Sequence, residues 1–290
     1  MEIMDRITHL SPDWQGWITE NLQRGCTPMS LVEVMVEKNF DPMFANAVVF
    51  QLSSSGTPQP AQPSQPATNG YRYEAPRFNH EGNVIRTADR DVRIVSRIGQ
   101  PVIAVLDGLL SHEECDELIR QSERKLQRST IVDPQTGKHE VIADRTSFGT
   151  FFTLNENDFI ARLDARIAAV MNWPIENGEG IQILNYKTAG EYKPHYDYFP
   201  TADPGSAAHL ANGGQRVSTM VMYLNDVDTG GETIFPELGV SVAPKKGSAV
   251  YFEYTNSHGE VDPLTLHGGA PVRDGEKWIA TKWMRQRRFG

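Results

Sequence analysis

The spacing of apolar positions changes along this chain, and each change predicts a different kind of element. In the first fifty residues apolar side chains recur at helical spacing. Trp14, Trp17, Ile18 and Leu22 share one face, Gly25 can end that helix, and Thr27-Pro28 can start the next. Leu31, Val32, Val34, Met35 and Val36 follow, then Asn39-Phe40-Asp41-Pro42 and a last apolar run over 44–50. The pattern predicts a small module of two or three helices over residues 1–51. Residues 52–75 open with a stretch rich in Ser, Pro, Gln and Ala that has no apolar period, which reads as a semi-extended linker.

The rest of the chain, residues 76–290, mixes the two periods. Ser111 and Glu114 stand three apart as a capping box, with Leu110 placed to staple onto Cys115. The helix they open carries Leu118 and Ile119 inward and runs to about Lys125. A second helix over 158–171 has Phe159, Ile160, Leu163, Ile167 and Val170 on one face and stops before Trp173-Pro174. Between the two helices, residues 128–149 are polar and turn-rich, and suit either a mobile loop that closes over a ligand or a plain surface hairpin. From Gly180 onward the period is two. Strands are expected over 180–186, 217–224, 233–235, 240–243, 248–252 and 277–283, punctuated by Asn225-Asp226 and Gly230-Gly231. The fold class predicted is α+β.

Composition narrows the function. A net charge of −9 argues against nucleic acid or an anionic membrane surface as partner. Only Cys26 and Cys115 are present, far apart, so no disulfide framework is expected and a reducing compartment is favoured. The first ten residues lack the apolar run of a signal peptide, and no stretch approaches membrane-spanning length. The expectation is a soluble, cytoplasmic protein.

The candidate chemistry lies in the strand-rich half. His195 and Asp197 form a His-x-Asp pair, and on a strand residues two apart point to one face. Such a pair alone carries little, because a chain with 8 histidines meets it often by chance. A second histidine, His267, and then Lys277 change the picture. Two imidazoles and one carboxylate on one face of a metal leave the opposite positions open, which suits a non-haem Fe(II) oxygenase. Alternation puts Lys277 on the same face as Ile279, Thr281 and Trp283, and a lysine buried there needs an anionic partner. Taken alone, Lys277 reads more readily as a solvent-facing cap after the Asp274-Gly275-Glu276 turn, and the metal triad beside it reverses that preference.

Beyond these residues, ordered motifs extend over nearly two hundred positions: Leu109-Leu110-Ser111-His112-Glu113-Glu114-Cys115, Arg128-Ser129-Thr130, Arg145-Thr146-Ser147, Glu176-Asn177-Gly178-Glu179, Tyr192-Lys193-Pro194-His195-Tyr196-Asp197-Tyr198-Phe199, Gly230-Gly231-Glu232-Thr233 and His267-Gly268-Gly269. Together they resemble the catalytic domain of the prolyl 4-hydroxylases, the Fe(II)/2-oxoglutarate dioxygenases of collagen, plant and bacterial type. The resemblance implies a double-stranded β-helix (jelly-roll) core with supporting helices. It implies Fe(II) on His195, Asp197 and His267, and 2-oxoglutarate held at its far carboxylate by Lys277, with Tyr186 and Thr219 lining the same pocket. Arg216, Tyr223 and Trp283 fall where relatives contact substrate. The lysine at 277 fits this branch better than the lysyl or oxygen-sensing hydroxylases, which carry arginine there.

The activity implied is hydroxylation of peptidyl proline at the 4-position, coupled to decarboxylation of 2-oxoglutarate to succinate and CO2, with O2 as co-substrate and ascorbate as reductant. A proline-containing peptide or protein is the expected partner, a homodimer is left open, and the source is expected to be bacterial. Two other readings compete: the same cofactors acting on another residue or a small metabolite, and a metal-binding jelly-roll adaptor without turnover. Loops at 200–215 and 256–263 flank the expected barrel mouth and bear on specificity. In the N-terminal module, the pattern Leu31-x3-Met35-x4-Phe40-Asp41-x3-Ala45 resembles ubiquitin-associated-type modules, against a packing or dimerisation element.

Overall fold

The computed structural model describes residues 7–24, 26–54 and 70–290. It divides into two compact units, Met1–Ala67 and Thr68–Gly290. The first contains α1 (Pro12–Gln23), α2 (Pro28–Glu37) and α3 (Pro42–Ser54). Proline opens each helix, where its missing N–H removes no hydrogen bond. The side chains of Ser11 and Thr27 cap the first two. Helical spacing brings Ile18, Leu31, Val32, Met35, Phe40, Ala45 and Val49 into one core, with Trp14 set edge-on to Phe40 at 5.0 Å. Gly25, the expected helix end, lies outside the described residues, as do residues 55–69 of the expected linker. Of the expected linker, 52–54 complete α3, and 71–75 belong to the second unit, where Arg72 and Glu74 are bonded to Glu260 and Ser257.

The second unit begins with β1 (Val84–Arg86), β2 (Asp91–Gly99) and β3 (Val102–Asp107), followed by α4 (His112–Ser122). Next come β4 (Gln127–Arg128), β5 (Ile131–Val132), β6 (His139–Glu140), β7 (Phe148–Phe152) and α5 (Asp158–Met171). The chain continues through β8 (Ile181–Tyr186), β9 (Tyr192–His195), α6 (Ser206–Ala211), β10 (Arg216–Tyr223) and β11 (Thr233–Phe235). It closes with β12 (Val240–Val242), β13 (Ala249–Glu253), β14 (His267–Gly269) and β15 (Lys277–Arg285). Among the described residues one sheet runs β1-β2-β3-β13-β10-β15-β8-β7-β4 and a second runs β12-β11-β14-β9, all antiparallel. The two sheets make the jelly-roll.

Alternation along the strands gives the large sheet two different faces. On β15, Trp278, Ala280 and Met284 join the outer core beneath α4 and α5, while Lys277, Ile279, Thr281 and Trp283 face the cavity between the sheets. On β8 the same rule sends Ile181 and Ile183 outward and Gln182, Leu184 and Tyr186 inward. Helix α5 buries Ile160, Leu163, Ile167 and Val170 on the outer face, each contributing about 1.5–3 kcal/mol relative to exposure. The predicted capping box at Ser111 is formed in both directions. The polar stretch 128–149 contains the β5–β6 hairpin, whose Ile131 and Val132 line the cavity between the sheets.

Strands β1–β3 have no counterpart in the expected elements. Their signal was present: Val92 and Ile94 are buried while Arg93 and Val95 are exposed. The expected run of His195 and Asp197 along one strand is corrected, because β9 ends at His195 and Asp197 lies in the bend that follows. What turns its carboxylate inward is a bond from β10 rather than strand alternation.

Candidate active site

His195, at the end of β9, and His267, at the start of β14, are direct partners across the small sheet. Their ring centroids lie 4.5 Å apart. Each Nδ1 bonds a carbonyl two residues before it, at 2.9 Å to Lys193 O and 2.9 Å to Thr265 O. A carbonyl only accepts, so each Nδ1 carries a proton, and it is Nε2 that the neutral ring offers as a lone pair. Both Nε2 atoms point at the Asp197 carboxylate, at 3.8 Å from Oδ1 for His195 and 3.4 Å from Oδ2 for His267. One ligand atom from each of the three residues falls within 4.8 Å of the others.

The electrostatics follow from burial. Loss of water pushes the His195 imidazole down to about 3, with His267 adding to the effect, so it stands neutral and able to ligate. Burial would raise the Asp197 carboxyl, but the neighbouring His267 and His195 hold it far below the usual carboxylate range. Asp197 Oδ2 also accepts from Thr219 Oγ1 at 2.7 Å, and that hydroxyl is met by Tyr254 Oη at 3.0 Å. Two imidazoles with inward Nε2 atoms and an ionised carboxylate on one side of open space are a donor set that fits Fe(II).

Lys277 pairs with Tyr186 across β15 and β8 and lines the same cavity, which encloses about 960 Å³. The lysine is 3% exposed. Among the described residues its ammonium has no ion-pair partner; its nearest polarisable neighbours are the Tyr186 and Tyr223 rings at 5.6 and 5.8 Å. Burial lowers its pKa to about 8, offset in part by Glu232. A buried cation without a carboxylate, facing a cavity, is built to receive an anion. The solvent-cap reading of Lys277 is thereby excluded.

The remaining expected residues divide. Tyr186 lines the cavity, its phenol raised by burial against the opposing pull of Arg145 and Ser147. Arg216 and Trp283 also line it, stacked with 3.9 Å between the guanidinium carbon and the ring centroid. Arg216 is held by Glu179 through two bonds, at 2.7 and 2.9 Å. Thr219 and Tyr223 are corrected. Thr219 is fully buried against Asp197 rather than lining the pocket. The Tyr223 hydroxyl donates to Thr233 Oγ1 at 2.7 Å and its ring lies 5.8 Å from the Lys277 ammonium, so it backs the lysine rather than lining the cavity.

Arg145 received no role from the sequence, yet it reaches the cavity wall. It donates to Thr130 O at 2.7 Å and Gln182 Oε1 at 3.1 Å, lies 4.8 Å from the Tyr192 ring, and leaves its Nε without a partner among the described residues. No periodicity marks it, because it sits in irregular chain and is placed by a single bridge to Tyr192.

Comparison with known proteins agrees with this geometry. Residues 181–285 match the model of the 2OG-Fe(II) oxygenase superfamily. Prolyl 4-hydroxylase 1 of Arabidopsis thaliana is 42% identical over 247 residues, 77% of this chain and 84% of the relative. Prolyl 4-hydroxylase 5 of the same plant is 38% identical over 230 residues, 73% of this chain and 75% of the relative. Among solved structures, a viral collagen prolyl hydroxylase from Paramecium Bursaria Chlorella virus-1, in complex with 2OG, is 30% identical with a TM-score of 0.50, covering 63% of this chain and 95% of its own. These curated relatives are plant proteins, so they lend no support to the bacterial source expected from the sequence. No helix among the described residues is long and apolar enough to cross a membrane. By the extent of this identity, the chain belongs to the prolyl 4-hydroxylase family of Fe(II)- and 2-oxoglutarate-dependent dioxygenases.

Proposed function

We propose that this enzyme hydroxylates proline in a peptide or protein, with His195, Asp197 and His267 holding Fe(II) and Lys277 holding the far carboxylate of 2-oxoglutarate. Fe(II), when bound, supplies the activation of O2 that no side chain can perform. The protein's residues bind, orient and exclude water. Thr265 and Lys193 carbonyls fix both imidazoles in the tautomer that ligates, and Thr219 fixes the carboxylate between them.

The observation that carries the reading is the pairing of this triad with a partnerless buried cation on one cavity wall. A metal-binding adaptor without turnover has no use for Lys277. The curated relatives' names point to proline, and the mouth suits an extended chain: Phe151 and Tyr196 stand exposed there at 56% and 37%. Proline-rich segments are extended and pre-ordered, so aromatic surfaces bind them at small entropic cost.

The test is succinate release from 2-oxoglutarate by protein loaded with Fe(II) and ascorbate, with and without proline-rich peptides. Peptide-stimulated succinate together with one added oxygen on proline supports the proposal. Basal succinate that no peptide stimulates removes the substrate class and leaves the oxygenase. Substitution of His195, Asp197 or His267 by alanine should abolish both turnover and metal binding.

A further inference from the structure

The connection between β13 and β14, residues 254–266, reaches two of the three proposed ligands through its ends. At one end, Tyr254 Oη meets Thr219 Oγ1, which in turn holds Asp197. At the other, the Thr265 carbonyl takes the Nδ1 proton of His267. Asp262 ties the two ends together. Its N–H donates to Tyr254 O at 2.8 Å, and its carbonyl accepts from Thr265 Oγ1 at 2.6 Å and Thr265 N at 3.2 Å. Its carboxylate Oδ1 accepts from Leu264 N at 3.0 Å, capping the short turn Pro263–Thr265. The side chain is 2% exposed.

The outer part of this connection is clamped by residues 72–78, which directly follow the stretch rich in Ser, Pro and Gln. The Arg72 N–H and Nε donate to Glu260 at 3.0 and 2.9 Å, and Asn256 Nδ2 donates to Arg72 O at 3.0 Å. The Glu74 carboxylate accepts from Ser257 N at 2.7 Å and Ser257 Oγ at 2.6 Å. Further on, Arg77 N and Phe78 N both donate to Glu253, at the end of β13. Exposed ion pairs contribute little singly, but these carboxylates also take backbone N–H groups, which fixes chain against chain.

We propose that Asp262 is a positioning residue for the metal site, acting through Thr265 on the His267 ring, and that residues 72–78 are a strap holding its loop in place. The proposal rests on His267 being a ligand. Orientation of a ligating histidine through its second nitrogen is worth a measurable part of metal affinity. Here that nitrogen's partner is a backbone carbonyl, so whatever sets the Thr265 peptide sets the ligand.

The test uses the full chain with Co(II) as probe, titrated by its visible absorption, with thermal unfolding recorded in parallel. Asp262→Ala is expected to weaken Co(II) binding roughly tenfold. Asp262→Asn keeps an acceptor for the Leu264 N–H and should bind as the unaltered protein does. The double variant Arg72→Ala/Glu74→Ala should lose about threefold, because its contacts are exposed. If Asp262→Ala does not fold, Thr265→Val removes the one bond from Thr265 Oγ1 to Asp262 O and takes its place. Unchanged Co(II) affinity in a folded Asp262→Ala or Thr265→Val protein overturns the proposal. Equal losses in Asp262→Asn and Asp262→Ala also overturn it, since the charge and not the turn would then matter. His267→Ala separates the two questions: full Co(II) binding there removes the ligand assignment itself.

Discussion

Thr219 Oγ1 donates to Asp197 Oδ2 at 2.7 Å from strand β10 of the large sheet, and this bond sets which way the carboxylate faces. Asp197 lies beyond the end of β9, so strand geometry does not orient it. Thr219→Val keeps shape and removes the donor. It is expected to weaken Fe(II) binding roughly tenfold while 2-oxoglutarate binding to metal-saturated enzyme changes little. Activity measured against Fe(II) concentration checks this; an unchanged iron requirement rejects the role.

Lys277→Ala removes a buried cation that faces the cavity and has no ion-pair partner among the described residues. A charge-assisted contact to a carboxylate is worth about 1.5–3 kcal/mol, so the KM for 2-oxoglutarate should rise roughly tenfold to a hundredfold. Fe(II) affinity should hold, because Lys277 stands on a different strand from any proposed ligand. Equal KM values for the two proteins end the assignment.

The same lysine predicts a pH dependence. Burial lowers its pKa to about 8 in the empty enzyme, with Glu232 pulling the other way. The protonated form binds the anion, so affinity is full below about pH 8 and falls as pH rises through that value. The 2-oxoglutarate KM should be flat at pH 7 and climb about tenfold per pH unit well above the pKa. A KM that stays flat to high pH shows that the site does not depend on this proton.

The sequence disclosed strands, helices and ligand residues to different degrees, and for physical reasons. Helix α5 was readable to its ends because Phe159, Ile160, Leu163, Ile167 and Val170 repeat at one period and Trp173-Pro174 stops it; the structure adds Asn172 as its left-handed cap. Strand β15 was readable because its inward face alternates without a break from Lys277 to Trp283. Residues whose position depends on distant bonds were not. Tyr223 lies on an inward face like its neighbours, and only its bond to Thr233 shows that the hydroxyl is already used. Arg145 and Asp262 sit in irregular chain, where no period signals burial, and their partners lie on segments remote in sequence.

Lys282 shows the opposite side of strand β15 under the same constraint. Its ammonium lies 2.6 Å from Asp164 Oδ1 on α5, and both side chains are fully buried. Burial lowers the Lys282 pKa while Asp164 opposes the shift. Asp164 also accepts from Asn155 N at 2.9 Å, so its second oxygen is satisfied. Asp164→Ala leaves an unpaired cation in the outer core and should cost about 3–5 kcal/mol of stability. Replacing both partners, as Asp164→Leu/Lys282→Met, removes the charge along with its partner and should recover most of that loss. Because Lys282 adjoins Trp283, which lines the cavity, the single variant should also lower turnover at temperatures where it remains folded. Denaturant unfolding of the two variants decides the matter. A double variant no more stable than Asp164→Ala shows that the pair contributes through its specific bonds, whereas recovery shows that the penalty came from the stranded charge.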